Sequence, residues 1–400
     1  FHPRSLYGAS YRVKQDITMD DLTFRATHVI NREIEIIQNQ MTRNNVDLWF
    51  GTAGFIDPHR LRIERSDDLV EHTADFVVIA CGTVPARPSH IPFDDHSIID
   101  TDGLLTLKTL PKSITIIGGG VIGAEYASIL ATMGIHVTLI ERRPRLLEFV
   151  DQETIEALQY HMRSIGVTLR FNEEVVSVER QPQEQVIVRL KSGKEIAATT
   201  VLYSVGRTGA SATLNLEAIG LAADDRGRLK VNEHYQTTVP HIYAAGDIIG
   251  FPALASTSMQ QGRHAACHAF GIPCQTQSEL MPYGIYSIPE ISMVGRNEDD
   301  LTKNGVPYAV GIARYREIIG DELGMLKLLF HNKTRQLLGV HAIGDGATEL
   351  IHIGQTVMAY QGQIDYFIEA VFNYPTLAEC YRVAALDGIN QLPRPWPPRV

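Results

Sequence analysis

From Asp20 to Asn45 the apolar positions Leu22, Ala26, Val29, Ile30, Ile34, Ile37 and Met41 recur at helical spacing, which predicts one long scaffold helix. Val46–Phe50 reads as a strand and Gly51–Phe55 as the turn after it. Short alternating strands then lead to Asp75-Phe-Val-Val-Ile-Ala-Cys81-Gly82, an apolar run feeding a small-residue turn, which is the pattern of a buried strand. A loop at Arg87, Pro88 and Pro92 separates this part from the next.

The middle of the chain alternates strand and helix. Ser113–Ile117 is a buried strand, followed by a glycine turn, a helix and the strand Ile135–Ile140. Asp151 caps a helix that runs to Ser164 and Ile165, with Gly166 at its C-terminal side. Val167–Phe171, Val175–Glu179 and Gln185–Leu190 are strands, Lys191–Lys194 is a turn, and Thr199–Val205 is a further strand. His241–Ala245 repeats the buried strand, now running into Gly246-Asp247, and a helix follows at Ser256–Phe270. Beyond Thr276 strands recur at Ile291–Val294, Tyr308–Tyr315, Gly324–Phe330 and Gln336–Ala342, with helices at Ala347–Met358 and Ile364–Val371. Asn332–Arg335 is a hairpin turn, and the Pro-rich tail from Leu392 reads as a frayed end.

The order predicts an α/β protein with two nested Rossmann-like nucleotide-binding domains and a C-terminal α+β domain. One nucleotide domain is inserted in the other. The expected parts are residues 1–110, 111–235, 236–275 and 276–400, the first and third forming one domain.

The strongest chemical signal is Gly118-Gly-Gly120-Val-Ile-Gly123 between a strand and a helix, with Glu141 ending the second strand. A dinucleotide needs that order. Gly118 allows the tight turn, Gly120 lets the backbone approach a pyrophosphate, and Gly123 lets helix and strand pack closely. The pyrophosphate sits on the helix N-terminus, and Glu141 binds ribose hydroxyls. Glu141 would repel the 2′-phosphate of NADP. Arg142 and Arg143 either offset that repulsion or are two surface arginines after a strand.

Composition narrows the picture. The chain has 400 residues, 44% hydrophobic and 20% charged, as in ordinary soluble globular proteins of two or three domains. A net charge of −10 disfavours nucleic acid and anionic membranes as partners. There is no apolar run long enough to span a membrane and no visible signal peptide, so the expected compartment is the cytoplasm. The chain opens on Phe1, so an N-terminal segment is expected to be missing from it. Cys81, Cys267, Cys274 and Cys380 match no metal or redox spacing, six residues lying between Cys267 and Cys274. They read as four reduced thiols, and no metal site is expected.

Over nearly its whole length the chain resembles the flavoprotein disulfide reductases that bind two dinucleotides. The resemblance rests on the inserted glycine motif, Ile79–Gly82, Ser204–Arg207, Ile242–Asp247 and Ser287–Glu290 with Val294-Gly295. It implies FAD together with NAD or NADP. By that resemblance Gly82, Gly246 and Asp247 serve the flavin's ribityl and pyrophosphate region, Leu254, Ala255 and Ser256 lie against the isoalloxazine, and Ala53 approaches the FAD adenine. Gly206 lines the nicotinamide side and Val175 the NAD adenine. The C-terminal domain of the family completes the site across a homodimer.

The dithiol-handling members carry His-Pro-Thr-x-x-Glu near the C-terminus. Here Tyr374-Pro-Thr-Leu-Ala-Glu379 puts a tyrosine in the histidine place. A tyrosine with an ordinary pKa of about 10 is a poor proton shuttle at neutral pH. Phe372–Thr376, Tyr381–Leu386, Glu349–Gln355, Leu6–Gly8 and the helix end Asn44-Asn-Val are similar to the soluble pyridine nucleotide transhydrogenase branch. The implied reaction is hydride transfer between NADPH and NAD⁺ through the flavin, with no redox disulfide. Tyr374 and Glu379 are then expected near the flavin of a partner subunit, and His352 is a packed core or interface histidine. Glu125 occupies the place of an acid that meets a lysine beside the flavin.

Two departures stand out. No Gly-x-Gly-x-x-Gly for the FAD pyrophosphate precedes Asp20, and Arg314–Gly320 is shorter than the family pattern. Residues 1–400 by themselves are expected to hold FAD weakly. The alternatives are a dihydrolipoamide dehydrogenase-like reductase with its cysteine pair further upstream, and a non-catalytic NAD(H)-binding protein.

Overall fold

A computed structural model describes residues 18–182, 185–274, 280–320 and 323–392, without the side chain of Leu22. Leu6–Gly8, the border expected at Thr276 and the tail beyond Leu392 lie outside those residues. Helix α1 (Met19–Arg43) opens on a capping box, in which Thr18 and Asp21 satisfy each other's backbone amides. Its apolar stripe is not packed as expected: Val29, Ile30, Ile34 and Ile37 are each about half exposed. Helical spacing makes a face apolar without saying what covers it.

The strand expected at Val46–Phe50 is irregular, and Phe50 is 70% exposed. The ladder starts where the turn was expected. Strand β1 (Thr52–Asp57) pairs antiparallel with β2 (Arg60–Glu64), and β2 with β3 (Leu69–Thr73). The reason is cross-strand partners: Ala53 faces Ile63 and Phe55 faces Leu61, whereas 46–50 has no partner strand among the described residues.

Next come β4 (Val77–Ile79) and β5 (Thr83–Pro85). The central parallel sheet is built from β6 (Ile98–Asp100), β7 (Ser113–Ile117), β8 (His136–Glu141), β9 (Thr168–Phe171) and a strand from later in the chain. Helix α2 (Val121–Thr132) follows β7, and α3 (Gln152–Ser164) follows β8. Asp151 caps α3 as predicted, accepting from the amides of Glu153 and Thr154. Strands β10 (Val175–Gln181), β11 (Gln185–Leu190) and β12 (Glu195–Ala198) form the antiparallel excursion. Strand β13 (Thr200–Tyr203) then returns to the central sheet between β6 and β7. Strand β7 is buried on both faces: Ile114–Ile117, Thr115 among them, are at most 5% exposed.

Two pairings tie distant parts together. Strand β14 (Arg207–Gly209) pairs with β5, and β15 (Ile242–Ala244) pairs in parallel with β4, so that Val77 meets Ile242 and Ile79 meets Ala244. These are two separate two-stranded sheets, and each joins a strand before the central sheet to one after it. Helix α4 (Ala255–Ala269) completes this part.

The last part is an antiparallel sheet of order β16-β17-β20-β19-β18, where β16 is Tyr283–Ile285, β17 Ile291–Gly295, β18 Tyr308–Arg314, β19 Gly324–His331 and β20 Leu337–Gly344. Helix α5 (Glu298–Lys303) lies between β17 and β18; α6 (Ala347–Ala359) and α7 (Asp365–Glu369) follow β20. Helix α8 (Glu379–Gln391) was not foreseen. Its turns mix Glu, Arg and Asp with small residues, so its periodicity is weak. Cys380, Tyr381, Ala384 and Ala385 are nevertheless fully buried, and Gly311 of β18 lies so close that a Cβ there would come within 2.0 Å of the Ala384 carbonyl. Helix α7 ends earlier than expected, and Val371 is 91% exposed.

Candidate nucleotide-binding site

The three motif glycines have three different reasons. Gly118 adopts φ +107°, and a Cβ there would sit 3.0 Å from the Ser204 carbonyl. At Gly123 a Cβ would fall 1.9 Å from the Gly118 carbonyl, so no side chain fits between helix α2 and the turn. At Gly120 a Cβ would meet nothing within 4 Å. Protein packing therefore dictates glycine at 118 and 123 but leaves open space at 120, where α2 begins with no side-chain cap. Free N–H groups facing an open volume are what a pyrophosphate needs, and the residues fit that group.

Glu141 ends β8 and is 5% exposed. Its Oε2 accepts the Gly119 amide at 2.7 Å, and its Oε1 accepts the Arg143 amide at 2.9 Å. The Arg143 guanidinium binds the same carboxylate through Nε at 3.0 Å and Nη2 at 2.9 Å. Burial pushes this carboxyl up, but the hydrogen bonds from Arg143 and Gly119 outweigh that and hold it below the usual range, so it is ionised. Arg142 behaves differently. It is exposed and makes no hydrogen bond or ion pair among the described residues, and it lies near enough to Glu174 to stabilise that carboxylate.

Gly118, Gly120, Glu141, Arg142, Arg143, Val175 and Gly206 border one cavity of about 300 Å³. Gly206 takes φ +86° there with open space at its Cβ position. Ser204 Oγ donates to the carbonyls of Ile117 (2.9 Å) and Gly118 (3.1 Å), which fixes the end of β13 against the glycine turn. His90, Glu173 and Tyr203 also line the cavity, and sequence reasoning missed them. Only the neighbouring Ser204–Arg207 motif pointed toward this wall.

The residues expected around the flavin fall in two places. Gly82 (φ +68°) precedes Thr83, whose hydroxyl donates to Asp247 Oδ2 at 3.4 Å. Gly246 (φ +81°) donates its amide to Gln261 Oε1 on α4 at 2.7 Å. Leu254, Ala255 and Ser256 start α4 beside the Gly246–Ile249 turn, with Ala255 and Ser256 exposed. These residues leave an accessible helix N-terminus and an acid side by side, which fits the ribityl and pyrophosphate end of FAD. Ala53 lies apart, in a cavity of about 370 Å³ with Arg62, Glu64 and Asn215.

Tyr374 is 72% exposed and Glu379 pairs loosely with Arg382 at 3.8 Å; neither borders these cavities. His352 is exposed on α6, bonded to Gln355, and not in the core of this chain. Glu125 of α2 accepts the Tyr286 amide at 2.8 Å, and burial pushes its carboxyl up. No group of acidic, histidine or cysteine side chains suited to a metal occurs among the described residues. No helix among them is long and apolar enough to cross a membrane.

Residues 5–262 match the family model described as pyridine nucleotide-disulphide oxidoreductase, and residues 281–385 match the model of its dimerisation domain. The soluble pyridine nucleotide transhydrogenase of Mycobacterium tuberculosis is 51% identical over 396 residues, which are 97% of this chain and 84% of the relative. The protein of the same description from Klebsiella pneumoniae is 46% identical over 402 residues, 98% of this chain and 86% of the relative. Among solved structures, the HOCl-induced flavoprotein disulfide reductase RclA from Escherichia coli is 27% identical with a TM-score of 0.82, covering 90% of this chain and 85% of that one. LpdA from Mycobacterium tuberculosis shares the fold, with a TM-score of 0.87 at 24% identity, over 93% of this chain and 83% of that one.

Proposed function

The chain belongs to the pyridine nucleotide-disulphide oxidoreductase family, and from that premise we propose that it transfers hydride between NADPH and NAD⁺ with FAD as its cofactor. The relatives described as transhydrogenases support this reading. The observation that carries it is the Glu141–Arg143 pair. A cleft that serves both nucleotides must offer ribose hydroxyls an acceptor without repelling a 2′-phosphate. Glu141 supplies the acceptor, and Arg143 cancels its charge.

FAD, when bound, supplies the hydride acceptor and donor between the two nicotinamides. The chain's own residues bind and orient. Gly120 and the first turn of α2 receive the nucleotide pyrophosphate, Glu141 and Arg142 meet the two forms of the adenine ribose, and Val175 and Gly206 flank the adenine and nicotinamide ends. Gly82, Gly246 and Asp247 hold the flavin's ribityl chain and pyrophosphate, Leu254–Ser256 face its ring, and Ala53 the adenine. No step needs a proton from Tyr374, because hydride transfer between nicotinamides is proton-neutral.

In this reading residues 111–235 form the NAD(P) domain, 1–110 and 236–275 the FAD domain, and 276–400 the dimerisation domain. A homodimer brings Tyr374 and Glu379 toward the partner's flavin. Small nucleotides in the cytoplasm are the substrates, and the net charge of −10 argues against nucleic acid.

The test is reduction of thio-NAD⁺ by NADPH with the purified protein supplemented with FAD and no disulfide present. Turnover is expected. Activity toward lipoamide without thio-NAD⁺ reduction would favour a disulfide reductase, and nucleotide binding without either activity a non-catalytic protein.

A further inference from the structure

Three carboxylates, Glu141, Glu173 and Glu174, border the cavity at the glycine turn, against two guanidiniums, Arg142 and Arg143. Arg143 is committed to Glu141. The backbone holds the other two acids in place after β9. The Glu173 amide donates to the Glu141 carbonyl and the Asn172 amide to the Arg143 carbonyl, each at 3.2 Å. Glu173 and Glu174 therefore stand beside the acid that ends β8. Uncompensated, they would repel an added phosphate and draw Arg142 toward themselves.

The turn between β11 and β12 answers both charges from outside the cavity. Gly193 takes φ +85°, and its amide donates to the Leu190 carbonyl at 2.9 Å. The Lys191 amide donates to the Glu174 carbonyl at 2.8 Å, which fixes the turn against the acids. Lys191 Nζ then donates to Glu174 Oε2 at 2.9 Å, and Lys194 Nζ to Glu173 Oε1 at 2.5 Å. Neither lysine borders the cavity. Both lysine side chains are more than half exposed, so these ion pairs add little stability. Their consequence is the field inside the cavity.

We propose that the Lys191–Lys194 turn sets the cavity's tolerance for a 2′-phosphate: the two lysines neutralise Glu174 and Glu173 from behind and leave Arg142 to a phosphorylated ribose. This rests on the reading that the cavity takes both nucleotides. Lys191 and Lys194 are positioning residues that act through the two acids. A phosphate monoester brings about −1.5 to −2 charges at pH 7, and NAD⁺ lacks the one on its ribose, so loss of the lysines falls on NADP⁺.

The experiment measures the Kd of NADP⁺ and NAD⁺ for the whole protein supplemented with FAD. Lys191→Ala combined with Lys194→Ala should weaken NADP⁺ at least about threefold more than NAD⁺, the size of effect a partly screened charge gives. Lys191→Arg with Lys194→Arg should restore the native ratio. Glu174→Gln should tighten NADP⁺ and make Lys191→Ala without further effect. The difference between the nucleotides should shrink at high salt. Equal weakening of both nucleotides in the double alanine variant, or an unchanged Kd for NADP⁺, would overturn the proposal. A native protein that binds both nucleotides but transfers no hydride would remove the proposed reaction and leave this role of the turn standing.

Discussion

Arg143 grips both oxygens of the Glu141 carboxylate, with Nε 3.0 Å from Oε1 and Nη2 2.9 Å from Oε2. The two residues stand at the end of a central strand, and Glu141 also accepts the Gly119 amide of the glycine turn at 2.7 Å. The pair is charge-neutral as a unit, while Arg142 next to it is exposed and near the Glu174 carboxylate.

The two arginines should therefore differ. Arg142→Ala should weaken NADPH with little effect on NADH, since a charge-assisted contact to phosphate is worth about 1.5–3 kcal/mol. Arg143→Ala should also weaken NADPH, by leaving Glu141 uncompensated, and should loosen the glycine turn for both nucleotides. Equal changes in kcat/KM for the two nucleotides in Arg142→Ala would make that residue a bystander.

Gly120 and Gly123 offer a contrast on one helix. Gly120→Val places its side chain in open space, so the melting temperature should hold while nucleotide affinity is lost. Gly123→Ala drives a methyl to within 1.9 Å of the Gly118 carbonyl and should cost about 1–3 kcal/mol of stability. Thermal melts with nucleotide titrations separate the two; unimpaired binding by Gly120→Val would remove it from the site.

Tyr374→Phe should leave hydride transfer from NADPH to thio-NAD⁺ within about tenfold, because a general acid or base contributes roughly 10²–10⁴. A loss near a thousandfold in a folded, yellow variant would make the hydroxyl catalytic.

Lys327 of β19 is fully buried and ties the central sheet to the last one, with Nζ 2.9 Å from Asp151 Oδ1 and 3.2 Å from Glu153, and in contact with Glu298. Lys327→Met strands the buried Asp151 carboxylate and should cost about 3–5 kcal/mol, read as a lower urea midpoint. An unchanged midpoint would show that water replaces the ammonium.

The same cluster sets acid sensitivity. Burial holds His341 below its ordinary 6.5, and it faces Asp151, Lys327 and Glu298. The unfolded chain takes up a proton that the folded one refuses, so stability should fall as pH drops below about 6.5. Asp151 is pushed up by burial but lowered further by His341 and Lys327, so its contribution is present above its ordinary 3.8 and is lost as pH falls through a still lower value. Urea midpoints at pH 7 and pH 5 should differ in the native protein and converge in His341→Gln; a persistent difference would place the acid lability elsewhere.

The sequence by itself determined the elements whose local code is strong. The glycine turn, the Asp151 cap and the isoleucine-rich strand β7 each carry their own physical reason, and the acid ending β8 was legible from its distance to the turn. Residue order also implied the insertion of one nucleotide domain in another. Tertiary structure alone decided which residues those elements meet. Val46–Phe50 has strand composition but no partner, so β1 forms after it. The stripe of α1 is periodic yet largely uncovered, and α8 is buried despite a weak pattern because Gly311 lets it approach. His90 and Tyr203 joined the wall of the cavity at the glycine turn through chain reversals that no spacing encodes. Periodicity and caps act within a few residues, whereas pairing, burial and proximity depend on what the rest of the chain brings alongside.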